Sequence, residues 1–282
     1  MNVERPHWSF SAINQFLRCP LQYYFERILC LPRGSVGSGL VFGSSVHIAL
    51  AIYHRGIQKN EKVELDQLRE SIRDNWTQQR ELQKIEFKDG ESIDKLIEQG
   101  ISLIELYVQE PQPTNIICVE KRMTVPIHNS DGEILEKPLV AVADLITGHE
   151  GKHPITEFKT SGKAYSEFDI DNSLQATCYV NASFELLSNL ATVDYVVLVR
   201  TKVPKLQRVR TARNENELGK LGDIVETIER AIEAKAFLPI VSAMNCSTCP
   251  YRQPCRDWKP EYEKTAFNLP VKLNGVKTCW PN

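Results

Sequence analysis

No stretch of the 282-residue chain is both long and free of charge, so the sequence offers no transmembrane helix. It also lacks a strong charge of either sign. At a net charge of −2 there is no global pull toward nucleic acid, and any contact with a polyanion has to come from a local basic patch. No Gly-x-x-x-x-Gly-Lys-Ser/Thr motif occurs, which excludes a P-loop motor from this chain. The first ten residues carry Glu4, Arg5 and His7 and no hydrophobic signal-peptide core. The expectation is a soluble, cytoplasmic protein with no membrane partner. In a reducing compartment the eight cysteines read as metal ligands or buried thiols more readily than as a disulfide framework.

What is present is enough for a core: 42% of residues are apolar, and 1–282 reads as one domain. Ser9 caps a predicted helix with Phe10, Ile13, Phe16 and Leu17 on one side, ending at Cys19-Pro20. A second short helix, Leu21 to Ile28, is rich in aromatics. A Gly/Ser loop from Pro32 to Gly39 leads into a helix that carries His47. Leu65 to Leu82 and Ser92 to Gln109 read as two amphipathic helices, a helical insert over 60–110. The stretch 115–213 then reads as strands around one helix. Asn115 to Ile127 pairs with Lys137 to Gly148 through a turn at Asp131-Gly132, and Val193 to Val199 is a buried strand. Glu215 to Ala236 closes the pattern as a surface helix.

The most informative stretch is Val140 to Tyr179. Asp144 ends an apolar run, Gly148 to Gly151 forms a turn, and Ile155-Thr156-Glu157-Phe158-Lys159 alternates as a half-buried strand. Alternation puts Glu157 and Lys159 on one side and Phe158 in the core. Two carboxylates on neighbouring strands can share a hard divalent cation, Mg²⁺ or Mn²⁺, and an adjacent ammonium can orient water or shield phosphate charge. Gln175 and Tyr179, four apart on the following helix, share one face. His47 adds a nitrogen ligand candidate. From Arg200 to Arg213 there are six basic residues and no acidic one. That run reads as a charged hairpin edge or as a phosphate-binding strip, with Lys205, Arg208 and Arg210 as its DNA contacts.

Cys246-x-x-Cys249 followed by Cys255 places three thiols in a Pro-containing loop, a setting for a soft metal. Cys19, in a Cys-Pro pair at a helix end, is the candidate fourth ligand, with Cys30 as the fallback. Spacing alone fits an iron-sulfur cluster or a structural Zn²⁺. Cys118 and Cys178 read as small buried residues.

The series His47, Asp144, Glu157-x-Lys159 and Gln175-x-x-x-Tyr179 resembles the RecB-like branch of the PD-(D/E)xK nuclease superfamily. Ala143 stands where the superfamily name has Pro, and Ala141 where many members carry Gly; neither is a ligand position. With Cys19 upstream and Cys246, Cys249 and Cys255 downstream, the pattern resembles the iron-sulfur subset: AddB, the CRISPR-associated RecB-like exonucleases and the exonuclease V type. The resemblance implies an α/β restriction-endonuclease-like core, a mixed sheet flanked by helices, with the segments 9–30 and 240–258 stapled by a 4Fe-4S cluster. It implies that His47, Asp144 and Glu157 bind metal, that Lys159 is the catalytic lysine, and that Gln175 and Tyr179 support the site. The implied activity is a metal-dependent DNA exonuclease acting on single-stranded ends, in CRISPR adaptation or DNA recombination and repair, with CRISPR integrase proteins or a helicase as partners. A phage or mobile-element recombination nuclease is the rival within the class. A non-catalytic DNA-binding scaffold is the rival outside it, and the intact Asp144, Glu157 and Lys159 argue against that.

Overall fold

A computed structural model describes residues 6–148, 150–187 and 189–259. Five strands form one mixed sheet in sequential order, β3 (Ile116–Val125), β4 (Leu139–Thr147), β5 (Ile155–Ser161), β6 (Val193–Val199) and β7 (Lys205–Thr211). All neighbours are antiparallel except β5 and β6, which run parallel because a helical crossover separates them. Helices cover both faces, so the fold is α/β with the restriction-endonuclease-like arrangement the sequence implied.

Each face has its own core. On one side Ile155, Val193, Tyr195 and Val197 pack with α1 (Phe10–Arg18), α7 (Leu174–Leu187) and α8 (Glu215–Glu233). On the other, Phe158, Val196 and Leu198 pack with α3 (Ser38–Gln58), α4 (Leu65–Leu82) and α5 (Ile93–Val108). The predicted insert is therefore a wall built on α3, with Leu68, Ile72 and Trp76 of α4 fully buried. Near the N-terminus, α2 (Pro20–Tyr23) passes into a π-helical turn, Tyr24–Ile28.

Three local expectations are corrected. Leu17 does not join the buried stripe of α1 but is 48% exposed, whereas Ala12, Ile13 and Phe16 are buried. The loop expected from Pro32 to Gly39 is shorter, since β1 (Val36–Gly37) pairs in parallel with β2 (Ile85–Glu86) and α3 begins at Ser38. Between β5 and α7 stands a short helix, α6 (Glu167–Asp171), whose start is set by a capping box of Ser166 with Asp169.

The last basic residue of the Arg200 to Arg213 run is a buried staple. The Arg213 guanidinium donates to the Thr177 and Thr211 hydroxyls and to the Ala212, Ile170 and Ser173 carbonyls, joining β7, α6 and α7. All five of its N–H groups are used. Arg213→Met should destabilise the protein by about 1–3 kcal/mol, because a buried donor to five acceptors is lost while the Ile170 and Ser173 carbonyls keep their backbone N–H partners. Urea unfolding measures it, and a loss under about 0.5 kcal/mol, the surface-substitution scale, would remove the staple role.

Candidate active site

Strands β4 and β5 pair at only two positions, Leu145 with Thr156 and Ile146 with Ile155. Beyond them the strands part. There the Asp144 carboxylate takes over the ladder's role and accepts the Phe158 N–H at 2.8 Å. Its other oxygen lies 3.4 Å from His47 Nδ1, reaching across from α3. Burial works against charge on His47, but the hydrogen bond to Asp144 and the charges of Asp144 and Glu157 outweigh it and raise its pKa.

On the other side of the gap the Glu157 side chain is almost fully buried, at 4% exposure. Lys159 Nζ donates to Glu157 Oε1 at 2.7 Å and to Gln175 Oε1 at 2.6 Å. Gln175 Nε2 donates to the same Glu157 oxygen at 2.8 Å and to the Tyr179 hydroxyl at 3.1 Å. The amide is thereby held at both ends: its oxygen can face only an ammonium, its nitrogen only acceptors. The Tyr179 hydroxyl has a single proton and two acceptors in reach, Glu157 Oε2 and the Val142 carbonyl at 2.9 Å. Burial and the nearby carboxylates hold its pKa well above the ordinary phenol value, so it serves as a neutral donor.

Burial pushes the Glu157 pKa up, and the facing charge of Asp144 adds to it, against the pull of Lys159 and Tyr179. Two carboxylates turned toward one gap, one of them dehydrated, form an oxygen donor set that a divalent cation would relieve. As they stand the side chains are not a closed cage. Among the described residues no three His, Cys, Asp or Glu side chains are arranged to hold a metal ion. Glu157 instead faces Lys159, Gln175 and Tyr179.

The structure thus brings together His47, Asp144, Glu157, Lys159, Gln175 and Tyr179. It treats the basic strip differently along its length. Lys205 is in register with Val199 and lies on the α7 face, as Lys159 does, whereas Arg208 and Arg210 alternate to the opposite face. Arg210 forks onto Asp194 at 2.6 and 2.8 Å, and Arg208 lies 3.7 Å from Glu110. Arg200 pairs with Glu91 and covers the Phe42 ring. The sequence reading missed the part of Val142, which enters through its backbone carbonyl and so leaves no side-chain signal.

The four predicted cysteines lie around a separate cavity, and the absence of a metal-holding group among the described residues extends to them. Cys19, Cys246, Cys249 and Cys255 line one small cavity with Leu21, Phe25, Pro239 and Tyr251. Cys30 is not among its described lining residues. Burial raises the pKa of Cys249 and Cys255, and the neighbouring cysteines raise both further. Asn245 ties the loop to α1 through the Arg18 carbonyl at 2.9 Å. Cys178 is buried as expected, while Cys118 is only half-buried. A roomier cavity of about 610 Å³ lies at the β3–β4 turn and the start of α8, lined by His128, Asn181, Phe184 and Gly219, and holds none of the side chains described above.

A sheet opened between two carboxylate-bearing strands, with a lysine two residues beyond the second carboxylate, is the architecture of a phosphodiester-cleaving nuclease. Residues 7–256 match the PD-(D/E)XK nuclease superfamily, and the chain belongs to that superfamily. A search of curated proteins finds no match. Among solved structures, the chain is similar to that of a "Putative exonuclease" from Eubacterium rectale, at 14% identity and a TM-score of 0.57, covering 93% of this chain and 91% of that one. That likeness concerns the fold. A second structure, SSO0001, aligns at 11% identity over 86% of this chain and 92% of its own, with a TM-score of 0.35 that carries no argument. Among the described residues no helix is long and apolar enough to cross a membrane.

Proposed function

We propose that this nuclease is a metal-dependent DNA exonuclease that hydrolyses phosphodiester bonds at single-stranded ends. The observation that carries the reading is the closed network in which Lys159, Gln175 and Tyr179 converge on Glu157 while Asp144 and His47 face it across the parted strands. His47, Asp144 and Glu157 would hold Mg²⁺ or Mn²⁺, which when bound supplies Lewis-acid polarisation of the phosphate and an acidified water. Gln175 fixes the Lys159 ammonium at the rim of the gap, where it stabilises charge that builds on phosphorus-bound oxygen as water attacks. Tyr179 holds the second Glu157 oxygen, which keeps the carboxylate from rotating away. Lys205, on the same face as Lys159, supports binding of the phosphate backbone, with Arg208 and Arg210 further along the edge strand. Cys19, Cys246, Cys249 and Cys255 would hold a 4Fe-4S cluster, the cavity that these half-buried cysteines share being what favours it.

The preference for single-stranded ends, and a place in CRISPR adaptation or DNA recombination and repair, are supported by the resemblance to the iron-sulfur exonucleases. Digestion of 5′- and 3′-labelled single and double strands with Mg²⁺ or Mn²⁺ tests the reading. Progressive shortening of single strands from one end is the expected result. Internal cuts in covalently closed circles would make the protein an endonuclease, and intact substrates under every metal would leave it a binding subunit.

A further inference from the structure

Val142 lies on β4, an inner strand of the sheet, yet 46% of it is exposed. Its neighbours Ala141 and Ala143 are buried on the α7 face, so Val142 points to the α3 face, as strand alternation requires. Neither α3 nor the α4–α5 wall covers it. The floor of the sheet is thus open beside Asp144, two residues on and about 7 Å away along the strand. Directly across from Val142, in register on β3, stands Arg122. Registered partners of an antiparallel pair share a face, so the Arg122 side chain rises from the same floor.

Arg122 is exposed and has no hydrogen-bond or ion-pair partner among the described residues, in contrast to other exposed arginines of the protein. Arg55 is paired with Glu120, two residues before Arg122 on β3, and on the opposite edge strand Arg208 lies beside Glu110 and Arg210 is locked to Asp194. A charged residue on an edge strand ordinarily serves to block edge pairing. That role does not call for an exposed apolar residue directly across from it on the inner strand. On α3, Ile48 follows His47 and is also 37% exposed. An unneutralised guanidinium beside uncovered apolar surface, one residue pair from Asp144, matches a nucleotide: phosphate for the fork, sugar and base for the methyl groups.

We infer that Arg122 and Val142 form a substrate subsite that takes the nucleotide next to the scissile phosphate, with Arg122 on its phosphate and Val142 under its sugar. The inference rests on the proposed nuclease reading of the Asp144 and Glu157 site. It predicts that Arg122 acts on strands and not on the chemical step. Arg122→Ala should raise KM for a single-stranded oligonucleotide about 10-fold, the scale of one phosphate contact, with kcat nearly unchanged. Arg122→Lys should recover part of the loss. Cleavage of bis(p-nitrophenyl) phosphate, which has no neighbouring phosphate, should not change. Binding of a fluorescent oligonucleotide in Ca²⁺ should show a salt slope smaller by about 0.7, as for one lost contact on a single strand. An unchanged slope and KM would overturn the subsite. That binding measurement reads the subsite even if the protein cleaves nothing, whereas failure of wild type on both substrates would count against the nuclease reading instead.

Discussion

Glu157→Gln should abolish phosphodiester cleavage and at the same time leave the protein at least as stable as wild type near neutral pH. The second half of that expectation follows from the direction of the Glu157 shift. A carboxyl whose pKa is higher in the folded state binds its proton more tightly there than in the unfolded chain. Its stabilising effect is fully present below the unfolded pKa and is lost as pH rises from that value through the folded one. At neutral pH the buried charge is therefore a cost that glutamine does not carry. Glutamine keeps the shape and an acceptor for Lys159; its amide nitrogen faces the Tyr179 hydroxyl, which can accept from it and turn its own proton to the Val142 carbonyl, and the charge that a cation needs is gone. Added Mn²⁺ should raise the Tm of wild type and not that of Glu157→Gln, by the usual linkage of ligand binding to stability. Lys159→Ala complements this test: turnover should fall by roughly 10²–10³-fold, the scale of one lost electrostatic contact to a transition state, while the Mn²⁺-induced shift persists. A Glu157→Gln protein that still cleaves at the wild-type rate would dissolve the assignment of the site.

Cys19→Ala should remove colour and stability together. The four thiols line one cavity from opposite ends of the described chain, and the loop at 239–258 is held to the α1 side of the core chiefly through Tyr251, with Cys249, Cys255 and Trp258 packed beside it. The helices there, Ala243–Cys246 and Arg252–Asp257, are short and contain no buried residue. They are too short to hold themselves, so a bound metal centre would supply most of their order. Wild type purified without oxygen should be brown, with broad visible absorption. Cys19→Ala should be colourless and unfold at a lower temperature, whereas Cys118→Ala should match wild type in both respects. Stoichiometric zinc in a colourless wild type would replace the cluster by a zinc site, and full colour in Cys19→Ala would move the fourth ligand elsewhere.

Much of this arrangement was legible because its signals are local. The Leu65–Leu82 helix and the Val193–Val199 strand have the predicted ends, since in each the apolar period changes abruptly at a polar or turn residue. Glu157, Phe158 and Lys159 separate onto two faces because strand alternation leaves no other choice. Gln175 and Tyr179 meet Glu157 because four residues make one helical turn. The features that escaped are ones in which the deciding partner is remote in sequence. Arg213 looks like part of a solvent-facing basic run until Ile170, Ser173 and Thr177 are folded around it. Arg208 and Arg210 carry the same charge as Lys205, but alternation turns them to another face and to acidic partners. The short pairing of β4 with β5 has no residue signature at all, because what shortens it is a carboxylate that accepts the Phe158 N–H in place of a neighbouring carbonyl.

That shortened pairing has a mechanical side. Since β4 and β5 share two residue pairs whereas β5 and β6 share seven, the joint between β3–β4 and β5–β6–β7 is the narrowest in the sheet, and α3 and α7 bridge it on either face. Asp144 and Glu157 stand on opposite sides of that joint. A cation drawn between them would act as a clasp, tying with side chains the two strands that the backbone ladder leaves apart.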